Sequence, residues 1–72
     1  MEYELRKILA HNLKVERAKK DFTQDKLAEL AGISSKHLTK IENAKVTPSV
    51  FIVFKLASAL NVTVDKLLYK QD

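Results

Sequence analysis

The chain contains no cysteine, and only one glycine and one proline in 72 residues. Without thiols there is no disulfide to staple the fold and no thiolate to bind a metal, so stability must come from an apolar core. Scarce turn residues beside an apolar fraction of 46% point to closely connected helices. Long apolar runs are missing too. The longest, residues 50–54, is far short of the ~20 residues that span a bilayer. No signal peptide opens the sequence, so a soluble cytoplasmic, nucleoid-associated protein is expected. The parts of an enzyme are absent as well: there is no phosphate-binding glycine loop, no paired carboxylates and no Cys or His nucleophile constellation. His11 and His37 lie far apart with no HxxxH partner, so no metal and no cofactor is expected.

What is present is basic charge with a pattern. The formal net charge is +4 and the sequence pI is near 9.5, a modest excess that favours polyanions. Between Ile33 and Val64 the chain carries Lys36, Lys40, Lys45 and Lys55 against a single acid, Glu42. Residues 23–43, TQDKLAELAGISSKHLTKIEN, read as two short helices joined by a tight corner. Thr23 is an N-cap, and Leu27, Ala28 and Ala31 share one helical face. Gly32 stands where the chain must turn with φ > 0, which glycine does at little steric cost. Ile33 plugs the corner, Ser34 caps the second helix, and Leu38 and Ile41 point back at the first. Ser35, Lys36, His37, Thr39, Lys40 and Asn43 are left facing outward. This is a helix-turn-helix, whose second helix is of the kind that lies in a DNA major groove.

The remaining sequence completes an all-α bundle of five short helices in a single domain, residues 1–72. A first helix over residues 2–20 carries Leu5, Leu9 and Leu13 on one stripe with Ile8 beside it; Asp21 ends it and Phe22 packs the junction. After a loop at residues 44–47, Thr47 and Pro48 read as N-cap and first helical residue of a fourth helix, residues 48–60. Val50, Val53, Phe54, Leu56, Ala57 and Leu60 are its expected buried positions. Asn61 is a left-handed terminator, and Thr63 caps a last helix, residues 64–69.

On these features the chain resembles the phage-repressor and Cro family of helix-turn-helix DNA-binding domains, often called XRE-like. The resemblance covers residues 9–68. It rests on Arg17 seven residues before Gln24, TQDKLAELAGIS at residues 23–34, IEN at 41–43, Thr47-Pro48-Ser49, and LASALNVTVDKLL at 56–68. It implies that Ser35, Lys36 and Lys40, with Thr39 close behind, reach base edges. It also implies that Gln24 bonds a DNA phosphate and braces the recognition helix, and that Ser34, His37, Asn43 and Lys45 touch the sugar-phosphate backbone. Arg17 and Glu42 match a partly buried salt bridge between the first and the recognition helix, and Arg17 contacts a phosphate in some relatives.

The implied function is a sequence-specific, double-stranded DNA-binding transcriptional regulator. A repressor that binds a palindromic operator as a homodimer is the expected form. An antitoxin that also docks a toxin protein, or the controller of a restriction–modification operon, are the alternatives. Three departures from the family pattern stand out. Ala44 replaces the usual glycine after the recognition helix, so either it or Asn43 must take a strained conformation, while Asp21 replaces a glycine after the first helix. Phe51 and Ile52 are apolar where relatives are polar. With Val64, Leu68 and Tyr69 of the last helix they are candidates for a dimer surface; the other reading folds Phe51 and Ile52 onto Tyr3, Leu5 and Ile8.

Overall fold

Every helix boundary inside this chain is closed by a local hydrogen-bonding device. The computed structural model describes residues 3–71, so the expected helix start at residue 2 lies outside it. The helices are α1 (Tyr3–Lys19), α2 (Gln24–Ala31), α3 (Ser35–Glu42), α4 (Val50–Leu60) and α5 (Val64–Leu68), with no strand among the described residues. Thr23, Ser34, Ser49 and Thr63 cap the starts of α2 to α5, their hydroxyl oxygens accepting from the backbone N–H of Lys26, His37, Ile52 and Lys66. Each cap satisfies one of the donors that a helix start leaves unpaired.

The opposite ends share a second device. Asp21, Gly32, Ala44 and Asn61 lie in the left-handed region, with φ of 56°, 73°, 58° and 57°. At each, two backbone bonds return to the helix. Phe22 N–H donates to Arg17 O and Asp21 N–H to Ala18 O, at 3.1 and 3.0 Å. Ile33 and Gly32 do the same to Ala28 and Glu29, Lys45 and Ala44 to Lys40 and Ile41, and Val62 and Asn61 to Ala57 and Ser58. This is the Schellman arrangement, which feeds the last carbonyls of a helix. Three corners repeat one recipe: a left-handed residue, an apolar plug against the core, then a hydroxyl cap. They are Asp21-Phe22-Thr23, Gly32-Ile33-Ser34 and Asn61-Val62-Thr63.

The helices pack α2 on α4 and α3, α1 on α5 and α3, and α4 on α5. Leu9, Leu13, Leu27, Leu38, Leu56, Leu60 and Leu67 meet at the centre, each 1% exposed or less. An uncharged polar residue, Asn12, is buried with them. Asn12 lies on the buried stripe of α1 and its Nδ2 donates to Leu67 O at 3.0 Å and Tyr69 O at 2.8 Å. It thereby ties α1 to the end of α5, whose carbonyls have no helical partner.

Helix α4 departs from the sequence reading in two ways. Ser49, not Thr47, is its cap, and Pro48 lies buried before the helix rather than as its first residue. Serine is the stronger N-cap of the two hydroxyl residues available. Val50 and Phe54, expected in the core, are 69% and 61% exposed. The stripe Val53, Leu56, Ala57 and Leu60 fills the face that α4 turns to its neighbours. Phe54, one residue and about 100° on from Val53, is carried outside it. Ile52 does pack against the core, whereas Phe51 is 73% exposed and does not fold back over α1.

Ala44, not Asn43, takes the strained backbone, since Asn43 has φ −100°. An L-residue there costs roughly 1–2 kcal/mol, less the roughly 0.4–1 kcal/mol by which glycine would raise the entropy of the unfolded chain. Ala44→Gly should therefore stabilise the fold by up to about 1 kcal/mol. Gly32→Ala should destabilise it by a similar amount, through backbone conformation alone, because nothing lies within 4 Å of the position its Cβ would take. Urea denaturation of both variants checks the pair; a neutral Ala44→Gly would remove the strain assigned to this corner.

Candidate nucleic-acid interface

A buried carboxylate fixes the angle between the helices of the motif. Glu42, at the end of α3, is 1% exposed. Its Oε2 accepts from Arg17 Nε at 2.9 Å and its Oε1 from Arg17 Nη2 at 3.1 Å. Gln24 Nε2 donates to the same Oε1 at 2.9 Å. Arg17 Nη1 donates to Phe22 O at 3.0 Å, holding the guanidinium against the α1–α2 corner. One acid thus binds α1, α2 and α3 together. Desolvating it costs several kcal/mol, which only a two-pronged, charge-assisted arrangement of this kind offsets.

Gln24 also faces the recognition helix with its other end. Because its nitrogen meets an acceptor-only carboxylate, its Oε1 is free to accept, and Thr39 Oγ1 lies 3.1 Å away. The Thr39 hydroxyl is also 2.9 Å from Ser35 O, one turn earlier in α3. Ser35 in turn donates to Asp25 Oδ1 across the corner, at 2.5 Å. The bracing expected of Gln24 takes the form of bonds to both Glu42 and Thr39, with one N–H of its amide left over.

The outer surface of α3 is narrower than expected. Lys36, Lys40 and Asn43 are exposed, while Ser35, His37 and Thr39 are half-buried, turned toward the rest of the motif. His37 Nε2 is enclosed without a protein partner. Ser34 is exposed, with its hydroxyl oxygen engaged as the α3 cap, and Lys45 is exposed just beyond the helix. Lys36, Lys40 and Lys45 form no ion pair among the described residues, where the salt bridges join Arg17 to Glu42, Lys19 to Glu16 and Lys26 to Glu29. The three lysines therefore present uncompensated positive charge beside the helix. Each nitrogen of Arg17 makes one bond inside the protein, so Arg17 is a brace, with a second N–H left on Nη1 and on Nη2.

A second surface lies on α4. Val50, Phe51 and Phe54 are all more than half exposed and fall on its outer side. Leu30 of α2, 47% exposed, stands across a groove from Phe54. Of the other residues singled out for self-association, Tyr69 is 67% exposed, while Val64 and Leu68 pack partly against the core. Ile52 belongs with the core and Phe54 with the surface, so the apolar patch keeps Phe51 and exchanges Ile52 for Val50 and Phe54.

Asp25 and Asn12 were not singled out from the sequence. Asp25 reads as an ordinary acid in a first helical turn, and only the folded corner brings it to Ser35. Asn12 did leave a trace, as a polar residue directly before Leu13 on an otherwise apolar stripe. No group of three or more His, Cys, Asp and Glu gathers to hold a metal among the described residues. No helix there is long and apolar enough to cross a membrane.

Comparison with known proteins agrees with this geometry. The helix-turn-helix family HTH_3 matches residues 13–67. Control protein C.SmaI of Serratia marcescens is 31% identical over 68 residues, covering 94% of this chain and 81% of the relative. The transcriptional regulator SinR of Bacillus licheniformis is 32% identical over 66 residues, 90% of this chain but 60% of that longer protein. Among solved structures, the hypothetical transcription factor NHTF from Neisseria superposes with a TM-score of 0.89 at 27% identity, over 97% of this chain and 82% of its own. The restriction–modification controller C.AhdI from Aeromonas hydrophila gives 0.83 at 26% identity, over 86% and 94%.

The geometry around Glu42 makes a direct prediction. Arg17→Ala leaves a buried carboxylate with Gln24 as its one remaining partner, and should cost roughly 3–5 kcal/mol of stability. Arg17→Ala combined with Glu42→Ala should cost less than the sum of the single changes. A denaturant series measures both; strict additivity would mean that the two residues do not act as a pair.

Proposed function

The chain belongs to the HTH_3 family of helix-turn-helix proteins and is a DNA-binding transcriptional regulator, and from that premise we propose that it is a repressor acting as a homodimer on a palindromic operator. The single observation that carries the docking is the braced motif with its unpaired lysines: Glu42 holds α3 at a fixed angle, and Lys36, Lys40 and Lys45 are left without acidic partners. In this reading residues 1–72 work as one domain, in the cytoplasm at the nucleoid. The recognition helix α3 enters the major groove. Lys36 and Lys40 donate to base-edge acceptors such as guanine O6 and N7, with Ser35 and Thr39 beside them. Lys45, Asn43, Ser34, His37 and the free N–H of Gln24 hold the sugar-phosphate backbone, which sets register and salt dependence without reading sequence.

Dimerisation is supported by the exposed apolar face of α4. Val50, Phe51 and Phe54 form an exposed apolar face that core packing does not use, with Leu30 across a groove from Phe54, and such a face on a small protein generally marks a contact. Two copies joined by a two-fold axis would present two recognition helices to half-sites one helical turn apart. Occupying a promoter in this way would block transcription. A second reading, controller of a restriction–modification operon, is favoured by the similarity to the control protein C.SmaI and the restriction–modification controller C.AhdI. It keeps the same docking and adds activation at one of the sites.

Two experiments follow. Lys36→Ala or Lys40→Ala should weaken specific operator binding by roughly 1–3 kcal/mol and relax the sequence preference, while Lys45→Ala should weaken binding to all sequences alike and reduce the salt slope by about 1. Unchanged affinity and preference in both recognition-helix variants would remove α3 from the groove. Separately, replacing Phe51 and Phe54 together with Glu should give a folded monomer in sedimentation equilibrium that has lost cooperative operator binding. A persisting dimer would transfer the interface to Val64, Leu68 and Tyr69.

A further inference from the structure

A hydroxyl group has one proton to give, and two lone pairs with which to accept. A serine on a recognition helix therefore discriminates poorly between bases, because it can rotate to donate to a carbonyl or to accept from an amine. Ser35 does not have that freedom. Its Oγ lies 2.5 Å from Asp25 Oδ1, and a carboxylate only accepts, so the proton of Ser35 is held in that bond. What Ser35 has left to offer is a lone pair. The neighbouring hydroxyl is committed in the same sense: Thr39 has its proton between Ser35 O and Gln24 Oε1, both acceptors. The Gln24 oxygen faces Thr39 because its nitrogen faces Glu42. The reading face thus divides by polarity. Lys36 and Lys40 can only donate; Ser35 and Thr39 are turned to accept.

We propose that Asp25 is a specificity-determining residue, which holds the Ser35 proton and makes the Ser35 hydroxyl an obligate acceptor toward DNA. The base facing Ser35 must then carry an exocyclic amine on its major-groove edge, adenine N6 or cytosine N4. Guanine O6 and N7 or thymine O4 would bring two acceptors together with no proton between them, and an unmade bond in a closed interface is costly. Asp25 touches no base itself and acts by positioning a proton. Its negative charge near the phosphates is a drawback for affinity, so its effect on binding strength and its effect on selectivity have opposite signs. The inference rests on α3 lying in the major groove as proposed above.

Selection of bound duplexes from a random DNA pool, using the full chain, tests it. The natural sequence should show one position in each half-site that accepts A or C and excludes G and T, and Ser35→Ala should abolish the preference at that same position. Asp25→Ala should admit G and T there, with discrimination falling roughly five-fold. The positions set by Lys36 and Lys40 should be unchanged, and binding to unrelated duplex should be equal or tighter. A purely structural role for Asp25 would instead lower affinity and the thermal midpoint together without changing base preference. The inference is overturned if the Ser35-dependent position prefers G or T, if no position depends on Ser35, or if the A/C preference survives Asp25→Ala. Lys36→Ala and Lys40→Ala separate this from the docking itself: if they alter the selected sequence while Asp25→Ala does not, α3 stays in the groove and Asp25 loses its role. If neither lysine change alters the selected sequence, both readings fall together.

Discussion

The Glu42 carboxylate is the constraint on which the reading face depends. It is as deeply buried as the leucines around it, yet it is charged, and it is tolerated because Arg17 and Gln24 supply three directed hydrogen bonds. Those donors come from two other helices, so satisfying the carboxylate also fixes how α1, α2 and α3 cross. An apolar residue at the same position would tolerate small sliding of the helices, because dispersion forces have little direction. A forked guanidinium and an amide permit one arrangement. The same network orients Gln24, and through Gln24 the Thr39 hydroxyl. Polarity at the surface is thus inherited from a charge in the interior.

The protein has two outward surfaces of opposite character, and both follow from which face each helix spends on the core. In α3 the inner positions Leu38, Ile41 and Glu42 are committed, leaving lysines outside. In α4 the inner positions are filled by Val53, Leu56, Ala57 and Leu60, yet the outer face still carries Val50, Phe51 and Phe54. The first surface is suited to a polyanion and the second to another apolar face. The two surfaces lie on separate helices, α3 and α4, so neither limits what the other can carry.

Most of the fold was legible because its signals are local. Thr23, Ser34 and Thr63 mark helix starts, and Gly32 and Asn61 mark helix ends, by their own side chains or their tolerance of positive φ. The errors came where two local signals competed. Thr47 and Ser49 both flank Pro48, and cap strength decided between them. Val50–Phe54 is apolar throughout, so periodicity could not choose which of those residues face inward; the position of α2 and α5 did. For the site, Arg17, Gln24 and Glu42 were legible through the family resemblance. Asp25 was not, since its meaning depends on a distance between two helices that no spacing rule gives. Asn12 lay between, a polar interruption whose partners sit at the far end of the chain.

The three repeated corners leave almost no slack in the backbone. Each consists of one left-handed residue, one plug and one cap, preceded in the first by Lys20, whose N–H donates to Arg17 O, so every residue in these three corners has an assigned bond or contact. Adding or removing one residue in the short helix before such a corner would turn the following helix by about 100° relative to its neighbours. In α2 that would rotate Lys36 and Lys40 away from one side of the protein altogether. The side of the protein on which these lysines stand is therefore encoded in chain length as much as in side chains. The connection between α3 and α4, residues 43–49, is longer and lacks the three-residue recipe. Variation in length can be absorbed there, at the edge of the reading surface, without moving the helix that reads.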